Sequence, residues 1–150
     1  MPEILVERVL PHEKALLFSV LRRVEELGRR MPNILEARVL SENEKVSRAR
    51  WRGFIEMGGM RQEYEWEEED FWYPEEGRVV FRMVSGNMRV YEGEVLLEAQ
   101  NGSTRVQVRV RYDLGIPLLG GLLQKVVQKV VRENLEAYLD AVTALARQTA

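Results

Sequence analysis

Gly115-Ile116-Pro117-Leu118-Leu119-Gly120-Gly121 stands where the hydrophobic period of this chain changes. Between Asn33 and Leu114 apolar and polar residues alternate, the period of strands with one dry and one wet face. Beyond the junction, Leu119, Leu122, Leu123, Val126, Val127, Val130, Val131, Leu135, Tyr138, Leu139, Val142 and Leu145 recur at i, i+3, i+4 and i+7, the stripe of an amphipathic helix. Each valine costs roughly 0.5 kcal/mol of helix propensity relative to alanine, whereas burying a Val or Leu side chain returns about 1.5 to 3 kcal/mol. Packing therefore decides for a helix of roughly 30 residues, about 45 Å long. Its start is expected close to Pro117, because proline suits the first helical position and pushes the residue before it toward extended geometry. Gly115 supplies the corner.

Upstream, each strand separates by parity. Ala49, Trp51, Ile55 and Met57 share one face while Arg48, Arg50 and Arg52 take the other. In the next strand Met60, Tyr64, Trp66 and Trp72 oppose Arg61, Glu63, Glu65, Glu67 and Glu69, and these acids can meet the outer arginines across the ladder. Val79, Phe81 and Met83, then Tyr91, Val95 and Leu97, then Val106, Val108, Val110 and Tyr112 continue the inner face. Turns are expected at Glu42-Asn43-Glu44, Gly58-Gly59, Pro74 to Gly77, Gly86-Asn87 and Asn101-Gly102, so the strands form an antiparallel meander. A first strand, Glu3 to Leu10, precedes a helical pattern opened by Pro11-His12. That pattern is either one helix or two short ones with a kink, and Gly28 is expected to stop or break it.

With 150 residues the chain suits one domain with a core of its own. Cysteine is absent and histidine occurs once, at His12, which reads as exposed. Disulfides, thiolate zinc sites, cysteine nucleophiles and triads needing a well-placed histidine are thereby excluded or nearly so. A net charge of −2 with both signs interspersed provides no field for nucleic acid or an anionic bilayer. Neither a leader pattern nor an apolar run of membrane-spanning length is present, so a soluble cytoplasmic protein is expected. No cofactor, catalytic residue or structural metal is expected, and only calcium or magnesium held by carboxylates stays open.

A strand, a short helical segment, six further strands and a long C-terminal helix is the order of the helix-grip fold, an α+β architecture with a curved seven-stranded antiparallel sheet around the helix. Leu10-Pro11, Met31-Pro32, Gly93-Glu94-Val95-Leu96-Leu97 followed by Asn101-Gly102-Ser103-Thr104, and Ile116-Pro117 with Gly120-Gly121 carry the likeness. On these residues the chain resembles the START and birch-pollen-allergen (SRPBCC) superfamily, and within it the bacterial polyketide cyclase/dehydrase and lipid-transport group that includes ubiquinone-binding START-type proteins. The resemblance implies an apolar ligand held between sheet and helix.

The residues expected to touch such a ligand are Trp51, Met57, Met60, Tyr64, Trp66, Trp72, Phe81, Met83, Met88, Arg89, Tyr91, Tyr112, Ile116, Leu119 and Leu123. Methionines suit a pocket that accepts varied apolar shapes, and Tyr64, Tyr91, Tyr112 and Arg89 could orient the ligand. Gly58, Gly59, Gly86, Asn87, Gly115, Pro117, Gly120 and Gly121 are expected to form its gate. Within the acidic run, Glu68 and Asp70 fall on the inner parity unless a bulge intervenes, and an inward carboxylate would need a partner such as Arg89. The leading reading is binding or transport of a lipid, isoprenoid quinone or polyketide-like compound, with membrane contact serving only ligand exchange. A cyclase or aromatase moving protons with a tyrosine and a buried acid is the alternative, and an interaction module for a larger assembly is the third.

Overall fold

The computed structural model describes residues 1–115 and 121–150, apart from the side chains of Met57 and Leu122. The elements are β1 (Glu3–Leu10), α1 (Lys14–Leu21), α2 (Val24–Arg29), β2 (Ile34–Glu42), β3 (Val46–Met57), β4 (Met60–Tyr73), β5 (Arg78–Gly86), β6 (Val90–Gln100), β7 (Ser103–Asp113) and α3 (Gly121–Thr149). The expected start of the long helix near Pro117 lies outside the described residues.

All seven strands pair antiparallel in the order β1-β7-β6-β5-β4-β3-β2. The turns fall where Gly and Asn foretold them. Gly58-Gly59 (φ 55° and 83°) and Asn101-Gly102 (φ 47° and 86°) have both central residues left-handed, the geometry whose twist matches that of the strands it joins. Along β3, Ala49, Trp51 and Ile55 are buried, and Arg50 on the opposite face pairs with Glu65 of β4. Further ion pairs on that outer face join Arg82 to Glu69 at 3.4 Å and Arg105 to Glu98 at 2.8 Å.

α3 is 29 residues long. Its stripe of Val127, Val131, Leu135, Leu139, Val142 and Leu145 is buried, as the period requires. One edge of the sheet is tied to it by Arg8 of β1, which donates to Asp140 at 2.7 Å and Glu136 at 2.9 Å. These carboxylates are substantially exposed, so Arg8→Ala is expected to lower stability by roughly 1 kcal/mol or less, read from the urea midpoint.

The helical region after β1 is a pair broken at Arg22-Arg23. The break frees the Arg22 guanidinium to donate to the carbonyls of Asn43 (2.8 Å) and Glu44 (3.1 Å) in the β2–β3 turn. α2 ends at Arg29, one residue past Gly28, where a stop was expected, and Gly28 has a second use there. That use is close packing: a Cβ on Gly28 would stand 2.4 Å from Cβ of Ala37 and 3.6 Å from the Trp51 ring. His12 is half-buried rather than exposed, and its carbonyl accepts a hydrogen bond from Thr104 Oγ1 at 2.7 Å.

Candidate functional site

Pairing across the sheet sets the inner face in rows. Trp51 faces Trp66, Ala49 faces Glu68, which faces Met83, and Ser47 faces Asp70, which faces Phe81 and, through it, Gly93. Between these rows and α3 lies a cavity of about 130 Å3. Trp51, Tyr64, Trp66, Trp72, Phe81, Met88 and Tyr91 line it, opposed by Val131, Asn134, Leu135 and Tyr138 of α3. The rings form a continuous aromatic wall. Trp51 and Trp66 stack with centroids 6.1 Å apart and planes 6° from parallel, Tyr91 lies 5.3 Å from Trp66, and Phe81 lies 5.9 Å from Tyr91.

Several residues expected at the ligand lie elsewhere. Met60 is 76% exposed at the hairpin tip, since β3 and β4 run on past the strands beside them. Arg89 is also exposed and faces Asp113 at 4.0 Å, because it follows the β5–β6 turn where alternation no longer applies. It is therefore no partner for Glu68 or Asp70. Met83 and Leu123 are half-buried and Tyr112 is buried, but none of them reaches the cavity wall. Ile116, Pro117, Leu119 and Gly120 lie outside the described residues, as does the side chain of Met57. Of the expected gate, Gly58 and Gly59 have no described atom within 4 Å of a Cβ built on them. Asn87 clasps β4, donating to the Glu63 carbonyl at 3.1 Å and accepting from the Glu65 amide at 2.9 Å. Gly115 turns at φ 76° with its amide held by Asp113 at 2.9 Å, and Gly121 opens the described part of α3.

No bulge turns β4 within its ladder to β3, so Glu68 and Asp70 both point inward, 8% and 4% exposed. The irregularity lies in the β4–β5 pairing, between Glu67 and Glu68. Trp66 Nε1 donates to Glu68 at 3.0 Å, and Trp72 Nε1 donates at 2.8 Å to Ser47 Oγ, which hydrogen-bonds Asp70. Burial pushes the Glu68 carboxyl well above the usual range, and the neighbouring Asp70 pushes it further. Burial raises Asp70 as well, held back by hydrogen bonds from Glu68 and Ser47 and by the more distant Arg22 charge. Both carboxyls are thus shifted toward keeping a proton, and the two titrate as a pair. Burial, together with these acids, also raises the Tyr91 and Tyr138 phenols, which stay neutral. Trp51 Nε1 and Tyr64 Oη are buried and, among the described residues, have no hydrogen-bond partner.

Asn134 and Tyr138 were not singled out as site residues by sequence reasoning, because a helical stripe does not tell which of its members faces a void. Glu68 and Asp70 were legible only as a parity.

A curved antiparallel sheet closed over an apolar cavity by a long C-terminal helix defines a helix-grip, SRPBCC-type protein. The chain belongs to the polyketide cyclase/dehydrase and lipid transport family, whose model matches residues 10–138. Its fold is similar to that of TTHA0849 from Thermus thermophilus, at 29% identity over 99% of both chains with a TM-score of 0.89. It is also similar to the Zhui aromatase/cyclase from a Streptomyces species (15% identity, 98% of this chain and 94% of that one, TM-score 0.79). A START superfamily protein from Mycobacterium smegmatis shares 18% identity over 99% of both chains with a TM-score of 0.76. These last two likenesses concern the fold alone. No curated protein matches the sequence. Among the described residues no helix is long and apolar enough to cross a membrane.

Proposed function

We propose that the protein binds a hydrophobic small molecule in the cavity between the sheet and α3. The observation that carries this reading is the cavity itself, walled by aromatic rings yet holding a few convergent polar groups, the usual composition of a small-molecule site. At about 130 Å3, it is smaller than the roughly 300 to 1,000 Å3 common for drug-sized ligands and comparable to an apolar cavity of about 150 Å3 that accepts benzene. The enclosed part of the ligand is thus about one ring in size. A quinone or polyketide-like compound would place a ring there and leave any chain outside.

Native mass spectrometry of the purified protein, before and after extraction with organic solvent, tests the proposal. The expected result is a bound mass that solvent removes, or one restored by adding a ring-bearing apolar compound. Empty protein from several expression conditions, together with no binding of such compounds, would defeat it.

A second, enzymatic reading is favoured by the buried Glu68 carboxyl in the wall of a ring-sized void. A carboxylic acid whose burial holds its proton on above the usual carboxylate range can serve as a general acid, the role a cyclase or dehydratase would require of it.

A further inference from the structure

Among the described residues, no cation is bonded to the acids in this cavity. Glu68 and Asp70, two residues apart on β4, project to the same face, and their described hydrogen-bond partners are each other, the Trp66 indole and Ser47. Arg22 is the nearby positive charge that acts on Asp70, yet its guanidinium is engaged elsewhere. It lies 4.5 Å from the centroid of the Trp72 ring and donates to the Asn43 and Glu44 carbonyls and to Glu42. A buried carboxylate without a bonded cation is costly, and burial here shifts both carboxyls toward keeping a proton.

Trp66, Trp72, Phe81, Tyr91 and Tyr138 line the same cavity as the pair. An aromatic enclosure attracts cations through the ring quadrupoles, most strongly when water is excluded. Two more polar atoms in the same wall, Trp51 Nε1 and Tyr64 Oη, have no partner among the described residues and belong to residues 8% and 4% exposed, which marks the cavity as built for an occupant with polar as well as apolar parts.

We propose that the cavity is selective for a cationic ligand of one-ring size, an arylalkylamine, whose ammonium lies between Glu68 and Asp70 and is enclosed by the surrounding rings. This rests on the cavity being a ligand site, and names the class of ligand. The exchange balances simply: the ammonium enters with its charge, a proton kept by the two carboxyls leaves to solvent, and the pair becomes two carboxylates facing one cation. Groups facing the pair from other elements are Arg22 at the end of α1, Tyr91 of β6 and Tyr138 of α3, and burial holds the two phenols neutral. The proton count on binding therefore belongs to Glu68 and Asp70.

Isothermal titration calorimetry with 2-phenylethylamine, neutral 2-phenylethanol and anionic 3-phenylpropanoate tests this, run in two buffers of different ionisation enthalpy so that protons are counted. The amine is expected to bind about tenfold more tightly than the alcohol, the scale of a desolvated cation–π contact. Release of about one proton per amine is expected, with no binding of the acid. In the Glu68→Gln/Asp70→Asn variant the amine is expected to lose its advantage over the alcohol. Alcohol binding at least as tight as the amine in the wild type, or an advantage that survives in the variant, overturns the proposal while leaving the cavity a ligand site. Binding of none of the three overturns both. If the double variant does not fold, the wild-type proton count decides alone, and amine binding without proton release refutes the assignment.

Discussion

Gly93→Ala is expected to lower the melting temperature by about 6 to 12 °C, equivalent to a loss of about 3 kcal/mol. Gly93 sits mid-strand in β6, facing Phe81 of β5 on one side and Val110 of β7 on the other. A Cβ there would stand 2.0 Å from the Arg109 carbonyl oxygen, 3.0 Å from its carbon and 2.9 Å from Phe81 Cζ. The ring could swing away, but the Arg109 carbonyl belongs to the β6–β7 ladder and cannot retreat without loosening that pairing. Relief by the ring alone would also push Phe81 into the cavity it lines. Thermal unfolding followed by circular dichroism provides the measurement. A melting temperature within about 2 °C of wild type, under 1 kcal/mol at this chain length, would show that the close approach relaxes freely. Gly58→Ala is the contrast, since its Cβ meets no described atom and only the left-handed backbone opposes it.

Glu68→Gln is expected to stabilise the protein increasingly as pH rises. The unfolded chain loses the Glu68 proton near the model-peptide value of about 4.3, whereas burial and Asp70 hold that proton on in the folded state. Between these two pKa values the native state binds more protons than the unfolded state. Wild-type stability therefore contains a contribution that is complete below the unfolded value and is lost as pH climbs toward the folded one, at about 1.4 kcal/mol per pH unit for one group. Glutamine keeps an oxygen to accept from Trp66 and an N–H to donate to Asp70, and it does not titrate. The gap in urea midpoint between variant and wild type should be small at pH 4 and widen as pH rises toward the folded-state value. Parallel profiles would mean that Glu68 gives up its proton as readily folded as unfolded.

Strand parity was the most readable part of this chain. A residue such as Trp51 or Arg50 has only two faces to choose from, and a charged or aromatic neighbour on each side decides between them. The same rule assigned Glu68 and Asp70 correctly despite their charge, although it could not say what they would meet. Alternation failed at Arg89, directly after a turn, where the chain has not settled into a ladder. Gly28 was legible as a helix end, whereas its close packing was not, because only the position of Ala37 across the interface reveals that second use of glycine. Contributions from α3 were hidden for a related reason. The apolar stripe establishes which side of the helix is buried, but whether Asn134 and Tyr138 meet side chains or a void depends on the curvature of a sheet tens of residues away.

The stacked indoles of Trp51 and Trp66 give the cavity an optical label of its own. Two identical chromophores 6.1 Å apart lie well within the range at which their electronic transitions couple, and the sign and size of the resulting circular-dichroism couplet depend on their mutual angle. Both rings belong to the cavity wall, so an occupant that wedges them apart or tilts one would alter that couplet without any dye, tag or substitution. Ligand libraries could then be screened on the unmodified protein by its far-ultraviolet spectrum, with compounds that bind only the outer surface leaving the signal unchanged.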